Sequence, residues 1–204
     1  MTFTEWITTG KDLLLGLAAI TTAVVALVGL SKWRQELHEK TGFDAARALT
    51  RATYKLRDEL QICRSPLISA VEFPENYNRL ENRSNEEEMR AWAHVYKNRW
   101  APLWSARQDF DSHTLEAEVL WGPGIRTKTD ALRKCVQELY GAIDAVINDK
   151  AVGGENFESD KDFGKSMRAI VAAAPDDDTN ELNLKIADAI NGIEKEVRPH
   201  LRRS

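Results

Sequence analysis

Residues 13–30 read LLLGLAAITTAVVALVGL, eighteen consecutive positions without a charge. As an α-helix this run extends roughly 27 Å, close to the hydrocarbon thickness of a bilayer, and Ser31 lengthens it slightly. Lys11 and Asp12 bound it on one side, Lys32 and Arg34 on the other. Thr21 and Thr22 interrupt the aliphatic pattern, but a helix lets their hydroxyls bond back to the preceding turn. The pattern therefore predicts a transmembrane helix over 13–31, with residues 1–12 on one side and 32–204 on the other.

Past Ser31 the apolar positions separate and fall at steps of three and four, the periodicity of helices with one buried face. No stretch alternates with a period of two between turn dipeptides, so strands are not expected. A polar stalk continues the span to Gly42, and Asp44 is placed to cap a new helix over 44–64. Its seam is Leu49, Thr53, Leu56, Leu60, Cys63 and Leu67. A loop rich in Pro and Asn follows, and Pro66 is expected to stop or loosen the helix before it.

Ser84 or Asn85 then caps a long helix opening with Glu86, Glu87 and Glu88, acids suited to a helix N-terminus. Its apolar face is Met89, Trp92, Tyr96, Trp100, Leu103, Phe110, Ala117 and Trp121, and Gly122-Pro123-Gly124 ends it. Pro102 lies inside and predicts a kink. A third helix from Thr127 or Thr129 to about Lys150 carries Ile125, Thr129, Leu132, Val136, Leu139, Ile143 and Val146. Gly153-Gly154 reads as a flexible connection. A short helix over 160–174 places Phe163, Met167 and Ile170 on one side. The last, capped by Asp178 or Thr179, is striped by Leu182, Ile186, Ile190, Ile193 and Val197. Stripes of this kind bury only against one another, so the expected fold is all-α: one N-terminal transmembrane helix, then an antiparallel helical bundle with coiled-coil-like packing.

Charge sets the orientation. Residues 32–57 hold seven basic side chains against three acidic ones, although the chain as a whole carries a net charge of −4. The positive-inside bias places the bundle in the cytoplasm and the N-terminus outside, as in a bacterial inner membrane. Trp6 at one end of the span, and Lys32, Trp33 and Arg34 at the other, are the expected interfacial anchors. The basic collar is also suited to anionic lipid head groups. A cleaved signal peptide is a poorer fit, because its apolar core is shorter and basic residues precede rather than follow it. In a reducing compartment Cys63 and Cys135 read as free core thiols.

Candidate sites are few. Ala18, Thr22, Ala26 and Gly29 form a small-residue face along the span, a packing surface through which two such helices approach closely. Trp92, Tyr96, Trp100 and Trp104 repeat at i, i+4 and make an aromatic ridge with basic residues between. A flat ligand or stacked bases would suit it, but filling of the bundle core is the expected role. Asp109, His113 and Glu116 share a helical face without the paired Glu-x-x-His pattern of di-iron bundles, and read as a solvated surface. Asp176, Asp178 and Asn180 imitate the opening of a calcium loop, but Glu181 and Ala187 occupy its required glycine and glutamate positions, so they read as capping residues. No catalytic motif, cofactor or metal site is expected. The expected partners are the bilayer and a protein or second copy of the chain, with no nucleic acid and no small-molecule substrate identified. The anticipated role is therefore interaction, scaffolding or regulation at a membrane. The alternatives are an oligomeric effector or pore assembled through the small-residue face, and a tethered enzyme or metal binder.

Overall fold

The computed structural model describes residues 3–75, 77 and 83–201, with side chains from Leu15 onward apart from Ala19. Among the described residues there are helices and no strands. The first helix, α1, covers Phe3–Cys63, 61 residues without a break. The helix expected to start at Asp44 is therefore the second half of α1, and Gly42 does not interrupt it. One interior glycine costs about 1 kcal/mol, less than leaving four carbonyls without partners at a new helix end. The bundle also engages the helix at this point: a Cβ on Gly42 would lie 3.8 Å from the Trp121 indole nitrogen.

The remaining helices are α2 (Asn85–Trp121), α3 (Gly124–Ala151), α4 (Glu155–Ser159), α5 (Lys161–Val171) and α6 (Glu181–Val197). Helix α2 begins with a complete capping box. The Ser84 hydroxyl accepts from the Glu87 amide at 3.3 Å, and the Glu87 carboxylate accepts from the Ser84 amide at 3.0 Å. It continues through Pro102 as one helix and stops at Gly122, whose φ of 87° suits glycine. Helix α3 starts directly at Gly124, before either Thr127 or Thr129.

The buried positions of α1, α2, α3 and α6 form one core, and the helices neighbour one another in the cyclic order α1, α2, α3, α6. Gly42 approaches Trp121, Lys55 pairs with Asp109 at 3.2 Å, and Cys63 meets Arg99, so α1 and α2 ascend in opposite directions. Leu49, Leu56 and Leu60 of α1 are wholly buried, as are Leu132, Val136 and Leu139 of α3. Each such aliphatic side chain contributes about 1.5–3 kcal/mol. Leu67 leaves the predicted seam and is 83% exposed, because α1 ends four residues before it.

Beyond the end of α1, helix α2 continues with α3 beside it, Lys150 lying 5.2 Å from the centre of the Trp92 ring, and the chain after Pro66 covers part of its remaining surface. Phe73 is buried against Ala91 and Val95, stacked on Tyr77 at 4.1 Å and edge-on to Trp92 at 5.5 Å. Arg99 fixes this segment. It donates to the Glu72 carboxylate and to the carbonyls of Ser65 and Leu67, at 2.8 and 2.7 Å for the latter two. The Gly153-Gly154 connection leads into α4, a short helix the periodicity did not reveal, which seats Phe157 in the core. Gly164 is required there, since a Cβ would sit 2.7 Å from that of Phe157. Phe163 is 45% exposed, off the stripe expected of α5.

Arg64 joins three elements where α1 stops. Its side chain is buried and donates to the Ile170 carbonyl at 2.7 Å, to Asn180 Oδ1 at 2.8 Å and to Asn183 Oδ1. Ile170 lies in the last turn of α5, whose carbonyls lack helical partners and form the negative end of the helix dipole. Asn180, rather than Asp178 or Thr179, caps α6, its Oδ1 accepting from the Asn183 amide at 3.1 Å. Among the described residues no carboxylate forms an ion pair with Arg64. Burial lowers the affinity of its guanidinium for the proton, and three oxygen acceptors hold it in place. Arg64→Ala should destabilise the fold by on the order of 3 kcal/mol, because three half-buried acceptors lose their donor together. Arg64→Lys should retain part of the stability; thermal unfolding followed by circular dichroism measures both, and an Arg64→Ala melt equal to the parent's would contradict the assignment.

Candidate functional site

The first half of α1 leaves its apolar side chains uncovered. Ile20, Val25 and Leu27 are 67%, 65% and 68% exposed, and the most apolar eighteen-residue window, of mean hydropathy 1.8, has none of its residues buried. Among the described residues this is the one helix long and apolar enough to cross a membrane. The hydroxyls inside it are satisfied within the helix: Thr21 donates to the Leu17 carbonyl and Thr22 to that of Ala18, both at 2.8 Å.

Ala18, Thr22, Ala26 and Gly29 are all exposed, and a Cβ on Gly29 would meet nothing within 4 Å. At 100° per residue they project from the side of α1 about 180° from Leu49, Leu56 and Leu60. The small-residue face thus points away from the bundle that α1 supports. Lys32, Trp33 and Arg34 are exposed at the end of the apolar run, Trp33 by 60%. Trp6 lies outside the residues whose side chains are described.

The aromatic ridge does not follow the core along its length. Tyr96 is buried, Trp92 and Trp100 are half-buried, and Trp104 is 43% exposed. Four residues turn an α-helix by 400°, so a strict i, i+4 series drifts about 40° per step and rotates out of the interface. Trp92 donates its indole N–H to Glu88 at 2.7 Å. Trp100 meets Tyr140 of α3, ring centroids 5.2 Å apart, so α2 and α3 together form an aromatic surface groove. Two hollows of ≈ 360 and ≈ 520 Å³ occupy it, both lined by Trp100, Trp104 and Tyr140. Tyr140 was not among the sequence candidates; its only signal was a position off the apolar seam of α3.

His113 contacts Asp109 and Glu116, each at 3.5 Å, on a partly exposed face. Among the described residues no three His, Cys, Asp or Glu side chains are grouped so as to hold a metal ion. In the connection before α6, Asp177 Oδ1 accepts from the Thr179 amide and hydroxyl at 3.0 and 2.6 Å, a local turn that ends at the Asn180 cap.

Comparison with protein-family models, with curated proteins and with solved structures yields no match.

Both cysteines are buried and unbridged. Burial pushes the Cys63 thiol up to about 12 and the Cys135 thiol up to about 11. The neutral thiols accordingly support folding in full below the unfolded cysteine value of about 8.5, and that support is lost as pH climbs through 11 to 12. At pH 8 both should react with iodoacetamide at least about tenfold more slowly in the folded chain than in denaturant, read by mass spectrometry. Rapid labelling of either in the folded chain would contradict their placement.

Proposed function

We propose that the chain is a single-pass membrane protein whose span covers residues 13–31 and whose bundle, residues 32–204, lies in the cytoplasm. In this reading the helices pack antiparallel with coiled-coil-like seams and act as an interaction, scaffold or regulatory module without catalysis of their own. The observation that carries it is the uncovered apolar half of α1, continuous with a half that is buried in the bundle. A hydrocarbon medium matches the first half, whose backbone groups are already paired within the helix. The seven basic residues of 32–57 support the orientation. Protease added to sealed inverted membrane vesicles should digest the bundle, while right-side-out vesicles should protect it until they are opened. Digestion in intact right-side-out vesicles would reverse the orientation.

A second reading has its own support. Because the small-residue face points away from the bundle, two copies can approach through Ala18, Thr22, Ala26 and Gly29 without their bundles colliding. Such pairing would make the protein an oligomeric membrane effector. Cross-linking in membranes should yield a dimer in the parent and lose most of it in Ala26→Leu/Gly29→Leu. An unchanged cross-linked species in the double variant would remove this face from the account.

A further inference from the structure

The groove between α2 and α3 presents aromatic surface that core packing leaves uncovered. We propose that it binds a planar aromatic ligand bearing a negatively charged group, stacked on Trp100, Trp104 and Tyr140 and held by Arg107. The site rests on the bundle alone and is independent of whether α1 crosses a membrane.

The two hollows differ in charge. The smaller is lined by Lys97 and Asp144, of opposite sign, among Tyr96, Trp100, Ile143 and Ile147. The larger, ≈ 520 Å³, is lined by Trp100, Trp104, Arg107, Val136, Gln137 and Tyr140. It therefore has two indoles, a phenol, an amide and one cation, with no carboxylate in its lining. Its volume falls in the range of small-molecule sites. The same three aromatic residues line both hollows, so the two adjoin along the ridge.

Arg107 is half-buried and only loosely partnered, its Nε forming an ion pair with Asp111 that is too long for a hydrogen bond. Its Nε is buried and, among the described residues, has no hydrogen-bond acceptor. The nearest carboxylate, Asp111, stands 3.7 Å away, and its other oxygen takes the Arg133 Nε at 2.6 Å. The Arg107 guanidinium carbon lies 5.1 Å from the centre of the Trp104 ring, which holds the cation beside the indole face. A flat ring on the aromatic surface would thus bring an attached phosphate, sulfonate or carboxylate to a charge with spare donor capacity. Exposure is equally suggestive: Trp104 and Tyr140 are 43% and 58% exposed. Adjacent exposed aromatic side chains beside an arginine have the composition of binding hot spots.

The test uses the full chain in non-ionic detergent with flavin mononucleotide as the probe, a soluble planar ring with one phosphate whose fluorescence is quenched by stacking on indole. Pyrenetetrasulfonate, a planar anion of different ring chemistry, serves as the second probe. Saturable quenching is expected for both, with riboflavin, which lacks the phosphate, binding several-fold more weakly. Trp104→Ala and Arg107→Gln should each weaken binding by about tenfold, the scale of one stacked ring or one charge-assisted hydrogen bond. Trp104 is exposed enough for its alanine variant to keep the fold, and Tyr140→Ala gives a second readout from the other helix. Absence of saturable binding of both probes up to about 1 mM would overturn the proposal, as would binding indifferent to all three substitutions. Tighter binding of a single-stranded oligonucleotide through the same residues would also overturn it, making the groove a nucleic-acid surface.

Discussion

The two halves of α1 have different surroundings within one continuous helix, the first uncovered and the second packed in the bundle. Over residues 15–30 its aliphatic side chains are uncovered, while from Ala45 onward its buried side chains fit against α2 and α6. In water, the uncovered half would forgo about 1.5–3 kcal/mol for each large apolar side chain left unburied. No other part of the described bundle covers these side chains. In the proposed reading lipid would cover them without demanding complementary packing, since the backbone and both threonine hydroxyls are paired inside the helix. The continuity of α1 through Gly42 then has a consequence: no flexible joint separates the apolar half from the bundle, so a tilt or rotation of one half is delivered to the other through an intact hydrogen-bonded rod.

The opposite end of α1 shows how the bundle tolerates a helix that stops short of its neighbour. Helix α2 extends fourteen residues past the level of Arg99, where α1 no longer accompanies it. Two arginines make the transition possible. Arg99 gathers the carbonyls of residues 63–67 and the Glu72 carboxylate, so the chain after α1 lies down on α2. Arg64 reaches the other way, tying the end of α1 to the end of α5 and the start of α6. A buried guanidinium surrounded by amide and carbonyl oxygens is held by geometry, and three acceptors from two separate segments converge on it only in the folded chain.

Much of this architecture was legible in the sequence. The eighteen-residue uncharged run, the capping residues before α2 and the Gly-Pro-Gly stop after it are local signals that tertiary structure did not overturn. The seams of α3 and α6 were also legible, because every residue named for them is buried. Failures cluster where a local rule competed with packing. Gly42 and Asp44 read as a helix boundary, yet one interior glycine costs less than leaving the carbonyls of a new helix end without partners, and α1 runs straight through. Phe157 and Gly164 needed each other, a pairing across a turn that no periodicity shows. The aromatic ladder was misleading in another way: the spacing was seen, but its steady drift around the helix, which exposes Trp104 beside Tyr140 and Arg107, appears only when α2 meets α3. The part played by Arg64 was not legible, since its acceptors lie more than a hundred positions away in the sequence.

The central claim is that the uncovered half of α1 is covered by lipid, and it is tested most directly by where the intact chain resides. Membranes from cells expressing the full-length protein are washed with alkaline carbonate and sedimented at high speed, and the pellet is then treated with detergent. The account predicts unclipped chain in the pellet after carbonate and its release only by detergent. Full-length, unaggregated chain in the carbonate supernatant would contradict it.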